Sequence, residues 1–225
     1  MKMLLKQLKL HMKFHYKAIL IFWCVALLIK WTTTATDIKG LKVAFLHDIF
    51  NNSSIAIAIA IFIVASVFLV QDDIFRTVVS FGVTRLQFFI GSVCFIILQS
   101  VIFSFLQVLL LQGTFYETKH INLGAHTIEQ FFAQFVFYLL LASLFQLTTI
   151  FQKRFNWIGF AFSVIFFLGL TSTIYGKVGL KELVFIDSKS LIDIPNFISI
   201  SIVLILIYFI ISALFIRKVS FEDTI

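Results

Sequence analysis

A chain of 225 residues that is 60% hydrophobic and only 13% charged, with a mean hydropathy of +1.05, is not an ordinary soluble domain. Thirty phenylalanines against a single proline point to long helices that face lipid and one another, and the apolar runs are too long for a transmembrane β-barrel. The net charge of +7 would suggest nucleic acid in a soluble protein; here a membrane accounts for it, and no nucleic-acid partner is expected.

The predicted elements begin with a basic amphipathic segment, Met1 to Phe14. Lys2, Lys6, Lys9 and Lys13 recur at helical spacing with leucines between them, which predicts an interfacial helix whose lysines meet anionic lipid. A cleaved signal peptide fits poorly, because the basic leader is long and Lys30 and Trp31 interrupt the apolar run. The first span is expected at about 16–31 and the second at about 55–70. Ala56 and Ala60 give the second a small-residue face suited to close helix packing.

Between spans two and three lies the most informative stretch, QDDIFRTVVSFGVTRLQFFIG, from Gln71 to Gly91. Asp72 and Arg76 stand four apart, so a helix makes them neighbours. Phe75, Val78, Val79 and Val83 share another face. Gly82 ends that helix, and Thr84 with Gln87 three residues later reads as a capping box opening the next one. The segment is expected to lie on the membrane surface as a short amphipathic helix. The same residues also fit a solvated loop whose charges hold topology.

Further spans are expected at about 86–111, 131–150, 157–174 and 197–216, each near the roughly 17–25 residues that cross a bilayer. The segment from Tyr175 to Asn196 is a long loop with a half-apolar stretch around Leu180 to Ile186. Six spans put both termini on one side. The termini and even-numbered loops carry eleven Lys and Arg against four acids, net +7, whereas the opposite loops sum to zero. The positive-inside rule then places both termini and the Gln71–Gly91 stretch in the cytoplasm. The expectation is an all-α, multi-pass integral membrane protein with a single transmembrane domain over residues 1–225.

No GxxxxGK[ST], HExxH or GxSxG occurs, and no carboxylate lies deep in an expected span. That argues against a P-loop, a metal centre, an ion-coupled carrier and an intramembrane protease. Cys24 and Cys94 read as small hydrophobes. The polar groups inside the spans are neutral. Gln99, Ser100, Ser104 and Gln107 share a side of the third span, with Gln134, Ser143, Gln146 and Thr149 in the fourth. They fit either interhelical hydrogen bonds or a mildly polar pathway for amphipathic cargo.

A basic amphipathic helix, six spans, short outer loops and an acidic-to-arginine segment after span two resemble the permease subunits of type-2 ABC exporters. In that family the segment begins with an acidic residue, includes a glycine and ends in a Ser/Thr-Arg pair. Here those are Asp72 and Asp73, Gly82, and Thr84-Arg85. Aspartate in place of glutamate and a shortened segment are departures from the family pattern. The small size and the Ile/Phe/Lys-rich style resemble bacterial exporters of phenol-soluble modulins, which are amphipathic peptides.

The resemblance implies a coupling helix docked on a separate ATPase subunit. Asp72, Asp73, Phe75, Arg76, Val78, Val79 and Arg85 would make that contact. It implies ATP and magnesium on the partner chain, none bound here, and no catalysis by this chain. It further implies a second permease chain, peptide cargo moving along Gln99, Ser100, Ser104, Gln107, Gln134 and Gln146, and location in the bacterial plasma membrane. A non-transporting interaction or peptide-immunity subunit is the alternative.

Overall fold

The computed structural model describes residues 2–38, 52–75, 78, 82–112, 123–175 and 194–217. Every regular element among them is helical. They are α1 (Lys2–Ile38), α2 (Asn52–Leu69), a π-helical turn (Val70–Ile74), α3 (Arg85–Gln112), α4 (Leu123–Tyr175) and α5 (Ile194–Ile216). Four helices are long and apolar enough to cross a membrane, over Lys9–Leu28, Arg85–Leu109, Phe131–Ala161 and Ile198–Ile216. The apolar helix Ala58–Leu69 is shorter.

The first difference from the sequence reading is α1. The expected interfacial helix at Met1–Phe14 and the first span are one unbroken helix of 37 residues, about 55 Å long at 1.5 Å per residue. No glycine or proline interrupts Lys2–Ile38, so nothing stops the helix at Phe14. The lysine stripe also concealed a second stripe, His11 and His15, which is buried. Both rings pack on α3: His11 lies 5.5 Å from Phe88 and 5.6 Å from Phe95, and His15 lies 5.1 Å from Phe95.

The second difference is α4. A straight helix of 53 residues would be about 80 Å long, more than twice a bilayer core. Asn156 breaks it, with φ 57° and ψ −151°. The chain turns back there. A Cβ placed on Gly159 would fall 2.7 Å from the Phe151 carbonyl oxygen and 2.6 Å from the Phe155 Cβ. Phe68 likewise touches Phe145 on the first arm (5.9 Å) and Phe160 on the second (6.4 Å), residues that a straight helix would hold roughly 22 Å apart. The helix is a hairpin with arms 123–155 and 157–175, and its apolar span 131–161 runs through the reversal. The expected stretches at about 131–150 and 157–174 fall on different arms, and the apolar stretch long enough to cross a membrane is Phe131–Ala161.

Three packed groups hold the helices. Lipid is as apolar as leucine, so close van der Waals fit, not water exclusion, drives association inside a bilayer. Phe22 and Trp23 of α1, Phe62 of α2 and Phe103 of α3 stack at 5.0–5.7 Å. Ala60 packs against this group, on the small-residue face expected of α2. Val136, Leu140, Leu144 and Leu147 of α4 meet Leu204, Ile205 and Tyr208 of α5, and the small Ser201 and Ser212 are also fully buried on α5. The third group, at the end of the bundle where the termini of several helices meet, joins Val70, Ile74, Phe75 and Val78 to Phe88, Phe95, Ile150 and Ile216. It carries the candidate site.

Candidate functional site

The site grows from the point where α2 loses its α-helical register. Val70–Ile74 forms a π-helical turn between αR residues at Leu69 and Phe75, where an ordinary amphipathic helix was expected to begin. Single π turns inside α-helices widen the coil and recur at functional positions. Gln71 sits in this turn, only 1% exposed, and is held three ways. Its main-chain carbonyl accepts a hydrogen bond from the Lys153 ammonium of α4. Its side-chain Nε2 donates to Ser92 Oγ of α3 at 3.2 Å. Ser92 Oγ also accepts from Gln146 Nε2 of α4 at 3.3 Å. A backbone group opened by the widened turn is thereby satisfied by a charged donor from another helix, a stronger bond than a neutral pair makes. Lys153 also lies 4.7 Å from the centre of the Phe75 ring, a cation–π contact.

Beyond the turn, Gly82 adopts φ 79°, a conformation open to glycine at no steric cost. Thr84 and Gln87 then form the expected capping box: Gln87 N donates to Thr84 Oγ1 at 3.3 Å and Thr84 N donates to Gln87 Oε1 at 3.2 Å. These bonds fix the start of α3 and aim Arg85 at the end of α5, where its Nη1 donates to the Arg217 carbonyl at 3.4 Å. A cation at a helix C-terminus is favoured by the helix dipole. Arg154 reaches the same helix end, 5.0 Å from the Phe215 ring and 5.2 Å from Phe155. Residues expected in one compartment, from the second and fourth loops and the end of the last helix, are therefore neighbours at one end of the bundle.

A column of neutral polar residues runs from this end along α3. Ser66 Oγ of α2 donates to Gln99 Oε1 at 3.0 Å, and Tyr138 of α4 donates its hydroxyl to Gln107 Oε1. Ser104, Ser143, Thr148 and Thr149 bond back to carbonyls of their own helices at 2.7–3.0 Å. Histidine completes the wall: His15 Nδ1 donates to the His11 carbonyl at 3.1 Å. Several buried polar atoms lack a partner among the described residues, including both His11 ring nitrogens, Gln99 Nε2, Ser100 Oγ, Gln134 Oε1 and Gln146 Oε1.

Of the residues expected to meet an ATPase, Phe75 and Val78 are buried, packed in the chain's own core beside Phe88. Arg85 is part-exposed at the start of α3. The side chains of Asp72 and Asp73, and residues Arg76 and Val79, lie outside the described residues, as do the Asp72–Arg76 pairing and the loop helix expected around Leu180 to Ile186. Of the residues expected to line a pathway, Gln99, Ser100, Ser104, Gln107 and Gln146 are brought together in the interior, and Gln134 is half-buried. Sequence reasoning missed Gln71, Ser92, Ser66, Tyr138 and Lys153. The available signal was modest: Gln71 is the first polar side chain after an apolar run, and Lys153 stands at the end of another.

No curated protein and no solved structure matches the chain at a significant level. One family model does, over residues 4–222, nearly the whole length. The chain belongs to that family, described as a protein of unknown function, DUF4052.

Proposed function

We propose that this chain is a transmembrane permease subunit of an ATP-driven exporter of the type-2 ABC kind, with six spans, both termini in the cytoplasm and ATP hydrolysis on a separate subunit. The observation that carries the reading is the anchoring of the Val70–Ile74 turn. One residue, Gln71, ties it to α3 through Ser92 and to the α4 hairpin through Lys153. A segment held this way passes a push from a partner into two helices at once. In this reading Asp72, Asp73, Arg76 and Arg85 face the ATPase, and Phe75 and Val78 root the segment in the bundle instead of touching the partner.

The cargo in this reading is an amphipathic peptide that enters from the membrane and moves along the α3–α4 polar column once a second permease chain is in place. The spare hydrogen-bonding capacity at Gln99, Ser100 and Gln146 supports that. The burial of the same column supports the second reading, a non-transporting interaction or peptide-immunity subunit in which these residues only tie helices together. The test is affinity purification of the chain from its native membrane in mild detergent, with the charge-reversed D72K/D73K variant alongside. Co-purification of an ATP-hydrolysing subunit that the variant loses supports the permease. Undiminished recovery of that subunit by the variant removes the coupling role from the segment, and a solitary chain favours the second reading.

A further inference from the structure

The basic end of the bundle has a feature that neither reading uses. The reversal at Asn156 exposes a run of apolar side chains directly beside arginine. Phe155 is 45% exposed, Trp157 73% and Ile158 81%. Leu214, near the end of α5, is also well exposed. Arg154 has its guanidinium set against the rings of Phe155 and Phe215. Stacking engages the faces of a guanidinium and leaves its in-plane N–H groups available, and Arg154 has no hydrogen bond or ion pair among the described residues. Arg217, exposed, directly follows α5, two residues beyond Phe215, and Arg85 donates to its carbonyl. Three arginines from three elements thus gather at one helix end, with exposed aromatic and aliphatic side chains around them.

We infer that this corner, Arg154 and Arg217 beside Phe155, Trp157 and Ile158, is a binding site for the headgroup of an anionic phospholipid. The chemistry fits such a lipid on both counts. A phosphodiester accepts from the planar guanidinium edge, and the fixed stack holds that edge in place before binding. Acyl chains cover Trp157, Ile158 and Leu214, which an acidic protein surface would leave unsatisfied. Tryptophan is the side chain most at home where headgroups meet hydrocarbon. The inference rests on membrane embedding alone, not on transport or on an ATPase.

The test uses the full chain in nanodiscs of neutral phosphatidylcholine, with increasing phosphatidylglycerol, reading the thermal unfolding midpoint. The expected result is a rise with phosphatidylglycerol for the wild type. R154Q/R217Q should lose most of that rise, measured from its own midpoint in pure phosphatidylcholine, because removing Arg154 also removes its contacts with the Phe155 and Phe215 rings. K13Q, at an exposed lysine on α1, should keep the rise. R217Q alone, at an exposed helix end, should lose part of the rise and covers the case in which the double variant does not fold. A full phosphatidylglycerol response in the arginine variants overturns the site. Inorganic phosphate that reproduces the rise at equal concentration, or an acidic peptide that competes it away without lipid, overturns the lipid assignment.

Discussion

Lys153 donates a hydrogen bond to the main-chain carbonyl of Gln71, 82 residues away, and so closes the π-helical turn from outside its own helix. Replacing it with methionine, which keeps the length and removes the ammonium, leaves that carbonyl without its charged donor and the Phe75 ring without its cation. A loss of roughly 1.5–3 kcal/mol is expected for a bond to a charged group. Thermal unfolding in detergent reads the loss, and amide exchange should rise at 70–75 more than within α5. Unchanged exchange in the turn would show that Lys153 does not hold it.

Asn156 sits at φ 57°, ψ −151°, a region that costs a residue with a Cβ on the order of 1–3 kcal/mol. Asn156→Gly should therefore raise the unfolding temperature, and Asn156→Val should lower it. Equal temperatures for the two variants would contradict a strained reversal at this position.

Gly159 packs so tightly against the opposite arm that an alanine methyl would lie 2.7 Å from the Phe151 carbonyl oxygen. Backbone on one side leaves nothing flexible to yield, so Gly159→Ala must open the hairpin. The expected destabilisation is about 1–3 kcal/mol, in the range of overpacked cores. A cysteine cross-link placed across the two arms would form more slowly in the variant.

Tyr138 and Gln107 form a buried side-chain bond between α4 and α3. In a double-mutant cycle with Tyr138→Phe and Gln107→Leu, the coupling should be favourable and about 0.6 kcal/mol, up to roughly 1.7, as for polar pairs inside membranes. A cycle that closes additively would show that the pair contributes packing alone.

The parts of this architecture that were legible in the sequence are those written within a few residues of each other. Thr84 and Gln87 stand three apart, and the capping box they spell is formed. Phe75 and Val78 share a face by spacing, and that face is buried. The stretches expected at about 131–150 and 157–174 left residues 151–156 between them, and the chain reverses within that gap, at Asn156. What escaped was long-range or masked by a stronger pattern. Nothing local in Gln71 announces that its carbonyl will meet Lys153. A π turn has no composition of its own, and the donor that meets its Gln71 carbonyl lies on another helix. The histidines of α1 were overshadowed by the lysines around them. At i, i+4 they form a stripe as regular as the lysine stripe, and it is the one that faces α3.

The reversal at Asn156 also bears on how the two arms can move. A connection that spends so few residues leaves no slack between them. Lys153 and Arg154 stand in the last turn of the first arm, directly before it. A displacement of either arm therefore carries both cations with it, and with them the contacts to the Gln71 carbonyl and the Phe215 ring.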